Sequence, residues 1–443
     1  MGKEEMKEQS KIPVSKVQRA SRFIRTGAKI GGNYVKHYSR KVFDREVAQD
    51  ELHEANSRDI YDALSKLKGS ALKVAQMMSM DKNIMPTAYQ DKFAMAQYSA
   101  PPLSFPLVVK TFKSSLGKSP EELFDSFTSS AVNAASIGQV HKAKLGDKTL
   151  AVKIQYPGVA DSISSDLKIV RPFATRLIGV SEADVEYYLS EVEQKLLEET
   201  DYELELRRSK EISKACEGLD NLYFPNYYPG FSSNRILTMD WLEGAHLKEF
   251  LASNPSQEAR DSIGQALWDF YDYQIHVIKQ VHADPHPGNF MFKNDGTVGI
   301  LDFGCVKEIP EDFYQKYFQL HDKNFVTNHD ELNKLFFELS FLTEKDTEHE
   351  KKVFTEVFKE MIDLLGRPFH QEEFDFGDKK YFESIFELGD RISKMKEVRN
   401  SKSARGPKHG LYINRTYFGL YNLLHDLQAK INTGKSFRLA NAS

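Results

Sequence analysis

The segment His282-Ala283-Asp284-Pro285-His286-Pro287-Gly288-Asn289, with Asp302-Phe303-Gly304 behind it, limits the folds open to this chain more than any other feature. It reads H-x-D-x-x-x-x-N and then D-F-G, the catalytic-loop and metal-binding spacing of kinase-type phosphoryl transfer. That chemistry asks little covalent work of a protein. It needs a divalent cation held against the phosphates and a carboxylate that orients or deprotonates the acceptor. Asn289 and Asp302 are oxygen donors, as a hard cation requires, so Mg²⁺ is the expected metal. Asp284 is the acceptor-side carboxylate. The strand-like run Val298-Gly299-Ile300-Leu301 leads directly into Asp302, the context in which a metal-binding aspartate belongs.

Composition narrows the class. At 443 residues the chain can hold two or three domain-sized cores, and 40% apolar with 28% charged residues fits a soluble globular protein. A net charge of −4 argues against nucleic acid as a partner of the whole molecule. Two cysteines, Cys216 and Cys305, fall short of a disulfide framework or a Cys₄ zinc site and favour a reducing compartment. No stretch has the apolar length of a transmembrane helix, and the polar N-terminus does not read as a secretory signal, so a cytoplasmic location is expected. Charge is nevertheless uneven. Gln9 to Phe43 holds nine Lys/Arg and no acid, around apolar Val17, Ala20, Ile24, Ala28, Val35 and Val42 at helical spacing. Such an arm can lie on an anionic membrane surface. The plain alternative is a helix packed on its own domain.

Along the chain, residues 46–98 read as a helical block. Pro101, Pro102 and Pro106 read as a break, and 107–128 as one or two helices with Pro120 in a first turn. Near 130 the period changes: Gln139–Leu145 and Thr149–Gln155 alternate like strands around Gly146-Asp147. Residues 182–215 read as one long charged helix, and Arg235–Met239 as a strand. Residues 256–280 and 311–440 read as mostly helical. Strands first and helices after, with the catalytic loop between, predict two lobes.

Lys153, in Leu150-Ala151-Val152-Lys153-Ile154, matches the strand lysine that grips the α and β phosphates. The phosphate loop departs from pattern. Laying G-x-G-x-x-G-x-V over Asn133–Val140 keeps Gly138 and Val140 but puts Asn133 and Ala135 where glycines belong. Alanine restricts positive φ and close backbone approach, so Ala134, Ala135, Ser136, Gly138 and Val140 should hold nucleotide differently from a protein kinase. Met239 to Leu242 falls at the gatekeeper and hinge, where adenine is expected. His282 reads as structural and Cys305 as a small buried residue.

Taken together, A-A-S-I-G-Q-V-H, A-V-K-I-Q-x-P-G, an E-x-D and H-A-D-P-H-P-G-N resemble the UbiB/ADCK (AarF-like) family of atypical kinase-like proteins, over residues from about 12 to 430, including the late Asn414-Arg415-Thr416-Tyr417-Phe418-Gly419. The resemblance implies an α+β, protein kinase-like two-lobed fold with a helical N-terminal extension. Its parts would be a basic arm at 1–45, an extension at 46–128, a small lobe at 129–240 and a large helical lobe at 241–443. It implies that Lys73 and Gln76, in a K-x-x-Q match to the family's K-x-G-Q, reach the active site. Its E-x-D maps on Glu199-Thr200-Asp201, and the partner of Lys153 is either Glu193 or Glu199; spacing does not choose. The implied ligands are ATP and Mg²⁺. The implied activity is ATPase or small-molecule phosphotransfer in support of isoprenoid quinone biosynthesis or lipid homeostasis, with a quinone or lipid precursor as partner. Two rivals remain: a true protein kinase, which the missing A-P-E and altered glycine loop oppose, and a non-catalytic ATP-binding scaffold for membrane-associated partners.

Overall fold

The computed structural model describes residues 102–134, 137–178, 190, 193–400 and 405–437. The basic arm, the helical block at 46–98, Lys73, Gln76, Ala135 and Ser136 lie outside them. The chain divides into two compact units. The first comprises the described residues up to Arg207 together with Asn226–Trp241; the second comprises Arg208–Pro225 and everything from Leu242 onward.

Strands come early in the chain: β1 (Ser126–Phe127), β2 (Asn133–Ala134), β3 (Gly138–Leu145), β4 (Lys148–Gln155), β5 (Leu222–Tyr223) and β6 (Ile236–Asp240). The first unit is built on a five-stranded sheet in the order β1-β3-β4-β6, with β2 also on β3. Its pairs are antiparallel, and Val140, Lys153 and Leu237 stand side by side across β3, β4 and β6. Gly146, at φ +57°, makes the tight β3–β4 turn without a Cβ clash. Two helices precede the sheet, Phe105–Leu116 and Pro120–Leu123, both with proline in the first turn. Pro106 therefore starts a helix instead of breaking one, because the missing N–H costs nothing there. Val108, Phe112, Phe124, Leu150, Val152 and Ile154 form the core of this unit.

The expected continuous helix over 182–215 is corrected. Residues 193–199 are helical, Thr200 turns, and a separate helix runs Tyr202–Ala215. Asp201 starts it: its Oδ1 accepts the N–H groups of Glu203 (3.1 Å) and Leu204 (3.0 Å), as a capping aspartate does. A helix at Val159–Ile178 went unread in the sequence.

The second unit is mainly helical around one large apolar core that includes Trp268, Phe270, Tyr271, Phe290 and Phe303. Arg208–Pro225 belongs here, not to a small lobe running through 240. Ile212 and Cys216 are buried in this core, and β5 pairs in parallel with β9 (Val298–Ile300), itself antiparallel to β8 (Phe290–Phe292). Burial drives the Cys216 thiol up to about 12, so it is inert as a nucleophile at neutral pH. The stretch expected to be helical through 280 ends earlier: Gln257–Tyr273 gives way to a π turn at Gln274–Ile278, Lys279 takes φ +58°, and Gln280–His282 forms β7. The described residues from 311 onward are mostly helical, interrupted by the β11–β12 pair of Glu373–Asp375 with Lys430–Asn432. No helix among the described residues is long and apolar enough to cross a membrane.

Candidate active site

Each unit carries one half of the residue set expected from the motifs. In the first, Lys153 is buried on β4, and its Nζ lies 2.8 and 3.0 Å from the two carboxylate oxygens of Glu205. The pair is nearly dry, with side-chain exposures of 10% and 2%. Neither Glu193 nor Glu199 is this carboxylate; Glu193 accepts from the Ser164 hydroxyl. The reason for the correction is the break at Thr200–Asp201. Restarting the helix at Tyr202 resets its phase, so Tyr202 and Glu205, three apart, share a face. That face meets Lys153, whose Nζ also stands 5.0 Å from the centre of the Tyr202 ring. The break is held from the sheet, where buried Gln155 donates to the Thr200 carbonyl at 2.7 Å.

Gly138, the glycine kept in the altered phosphate loop, has a packing cause. A Cβ there would sit 2.7 Å from both the Ile154 carbonyl and the Tyr202 hydroxyl. Ala134 pairs with Gln139 in the β2–β3 ladder. Val140 is half-buried opposite Lys153. Met239 is buried, pairs with Ala151 and packs with Tyr202 and Leu237. Leu242 is the first residue of the second unit beyond the division at Trp241.

In the second unit, β7 delivers His282 and then Asp284. His282 is fully buried; its Nδ1 is 3.0 Å from the Tyr271 hydroxyl, and its ring packs edge-on to Phe303. Burial, then the nearby Asp284 charge, push the Tyr271 hydroxyl well above its ordinary range, so it stays neutral. The Asn289 amide donates to the Asp284 carbonyl (2.9 Å) and to Asp284 Oδ2 (3.2 Å). The Leu301 N–H donates to the Asn289 carbonyl (2.9 Å), and that of Ala283 to the Cys305 carbonyl (2.8 Å). These bonds lash the catalytic loop to the strand and tripeptide carrying Asp302. Asp302 Oδ1 accepts the Gly304 N–H at 2.6 Å. Phe303 is fully buried near Phe270 and Phe224, which anchors the tripeptide.

The donor set fits a hard divalent cation. With the amide nitrogen of Asn289 spent on Asp284, its carbonyl oxygen is the atom left to face a metal, and Asp302 brings a carboxylate from the adjoining strand end. After the tripeptide, Val306–Glu308 (β10) pairs with β7, and a helix begins at Glu311.

One residue of this site escaped the sequence reading. Arg415, on the long helix Lys408–Leu427, places Nη2 2.7 Å from Asp284 Oδ1. The only signal in the sequence was its place in the late Asn414–Gly419 run.

A strand lysine held by a helix glutamate and an H-x-D-x-x-x-x-N loop bonded to D-F-G define a kinase-like protein. The family model for the ABC1 atypical kinase-like domain matches residues 95–336. The chain belongs to this family, and its fold is α+β and protein kinase-like. It is 25% identical, over 97% of its length and 85% of the other's, to the mitochondrial atypical kinase COQ8 of Saccharomyces cerevisiae. It is also 25% identical to the probable serine/threonine-protein kinase abkA of Dictyostelium discoideum, over 96% of this chain and 78% of that one. A chloroplastic aarF domain-containing protein kinase of Arabidopsis thaliana is 28% identical over 77% of this chain and 51% of its own. Among solved structures, Rv3197 of Mycobacterium tuberculosis, in complex with erythromycin, aligns with a TM-score of 0.59 and 26% identity over 88% of this chain and 96% of its own. Membership of a kinase-like family carries a general expectation of nucleotide and a divalent metal.

Proposed function

We propose that this protein binds Mg·ATP and turns it over slowly, as an ATPase or by phosphotransfer to a small molecule, in support of isoprenoid quinone biosynthesis or lipid homeostasis. The observation that supports the reading is the set Asp284, Asn289 and Asp302, carried on a loop and a strand end that hydrogen bonds tie together. In this reading Lys153, fixed by Glu205, meets the nucleotide's phosphates, and Asn289 and Asp302 hold Mg²⁺, which neutralises phosphate charge when bound. Asp284 orients the attacking hydroxyl or water. Ala134, Ala135, Ser136, Gly138 and Val140 shape the phosphate loop, and Met239 to Leu242 receive the adenine. Lys73 and Gln76, outside the described residues, are assigned by the family resemblance to restrict access.

Small-molecule or water acceptors are favoured over peptides by the chain after D-F-G. It passes through three β10 residues, paired to β7, and is helical by Glu311, which leaves little length for peptide docking. The basic arm, on this reading, brings the protein to an anionic membrane from the cytoplasmic side; the relatives named mitochondrial and chloroplastic are so by their own names.

The test is to measure ADP release and phosphopeptide formation side by side with Mg²⁺ present and chelated. Mg-dependent ADP release without phosphopeptide supports the reading. Robust peptide phosphorylation, at ordinary kinase rates of about 1–100 per second, restores the protein kinase. Binding without turnover leaves the scaffold. Sedimentation with anionic liposomes, before and after deletion of residues 1–43, tests the arm: equal binding by the shortened protein removes the membrane role.

A further inference from the structure

The catalytic loop from His282 to Asn289 contains no lysine or arginine, and Ala283 stands where the H-R-D pattern has arginine. The cation at Asp284 arrives instead from 131 residues along the chain, as Arg415. We propose that Arg415 is the positioning residue for Asp284: from the helix Lys408–Leu427 it sets the orientation of the carboxylate that aligns the phosphoryl acceptor. The inference rests on the function proposed above.

Both carboxylate oxygens of Asp284 are engaged by different groups. Arg415 Nη2 holds Oδ1 at 2.7 Å, and the Asn289 amide holds Oδ2 at 3.2 Å. The backbone of the same residue is held too, its carbonyl accepting from the Asn289 amide at 2.9 Å and from the His286 N–H at 2.7 Å. Asn289 therefore links the metal side to the aspartate, and Arg415 fixes the aspartate's remaining freedom. A charged hydrogen bond of this length is directional and strong compared with a neutral one. The pair is shielded but not sealed, with side-chain exposures of 19% for Arg415 and 12% for Asp284.

The helix is shaped for the approach. Gly419, one turn after Arg415 and on the same face, lies against the loop so closely that a Cβ would come 2.2 Å from Pro285 Cγ and 3.3 Å from the Pro285 carbonyl. A proline cannot swing away as a flexible side chain would, because its ring fixes the backbone it sits on. Arg415 and Gly419 thus meet Asp284 and Pro285 in turn from one face of the helix.

The experiment uses the full chain with Mg·ATP. Arg415→Gln keeps a neutral donor but is shorter and removes the charge; Arg415→Lys keeps the charge and most of the reach but not the planar guanidinium. For Arg415→Gln we expect kcat for ADP release to fall about tenfold or more, with Mg-nucleotide affinity within about twofold of wild type, and Arg415→Lys to recover part of the loss. Wild-type kcat in the glutamine variant, or loss of affinity in step with kcat, overturns the proposal. Should that variant fail to fold, Gly419→Ala displaces the helix without touching charge: reduced kcat at unchanged affinity supports the proposal, and unchanged kcat overturns it. Failure of the underlying reading shows separately, as a wild-type protein with no Mg-dependent nucleotide binding.

Discussion

The two units each fix a charged group by an ion pair, but with opposite roles. In the first unit the reactive partner is the cation: Lys153 is the expected phosphate ligand, and Glu205 holds it. In the second it is the anion: Asp284 is the proposed acceptor-side carboxylate, and Arg415 holds it. Each pair has a glycine beside it where a side chain would not fit, Gly138 against Tyr202 and Ile154, Gly419 against Pro285. They differ in burial. The Lys153–Glu205 pair is almost dry, whereas Asp284–Arg415 keeps more contact with solvent. A dry pair that loses one member leaves a stranded charge, and the cost falls on folding. A partly open pair that loses its holder is rescued by water, and the cost falls on alignment.

That contrast can be broken. The largest effect is expected from Glu205→Ala, which strands Lys153 in a buried position: about 3–5 kcal/mol of stability by denaturant titration. A loss as small as that of a surface pair, about 0–1 kcal/mol, would erase the distinction between the two units. Next comes Gly138→Ala. Its methyl group meets a backbone carbonyl and the hydroxyl of a fully buried tyrosine, so overpacking of about 1–3 kcal/mol is expected, read from the same titration. A neutral result would mean that β4 and Tyr202 yield easily, and that the Lys153 setting is less rigid than its hydrogen bonds suggest.

Asp302→Asn addresses the second unit alone. It removes an anionic metal ligand while keeping shape, and Mg-dependent nucleotide binding should weaken at least about tenfold, about 1.4 kcal/mol, by calorimetry. Equal Mg·ATP affinity would dismiss Asp302 as a metal ligand. The smallest effect concerns a carboxylate held by an amide, not a cation. Burial raises the Asp269 carboxyl to about 6, against the opposing hydrogen bond from Gln265. A carboxyl raised in the folded state supplies stability that is complete below its unfolded value and lost as pH rises through about 6. Asp269→Asn should therefore gain on wild type between pH 4 and pH 8, by about 2–4 °C in Tm for each ~1 kcal/mol. Melting curves that stay parallel over that range would show that Asp269 is better solvated than its burial implies.

Much of this protein was legible in one sequence because local chemistry is written locally. The loop at His282–Asn289, the tripeptide at Asp302 and the strand lysine at Lys153 lie in short runs whose spacing follows from strand and turn geometry; β3 and β4 stand close to where alternation put them, and β9 at the strand-like run before Asp302. The family resemblance rested on the same runs, and the ABC1 domain match spans them. What sequence left open were partners across distance. The choice of Glu205 over Glu193 or Glu199 turned on where one helix stopped; the capping chemistry of Asp201 announced the stop, but only the sheet shows which face then meets Lys153. The run holding Arg415 stood out, but its pairing with Asp284 could not be read, because 131 residues separate the two and nothing in the spacing of either segment records the other. Ion pairs of that reach are decided by how helices pack, and packing depends on the whole core, where a glycine against a proline ring sets how closely a charge can approach.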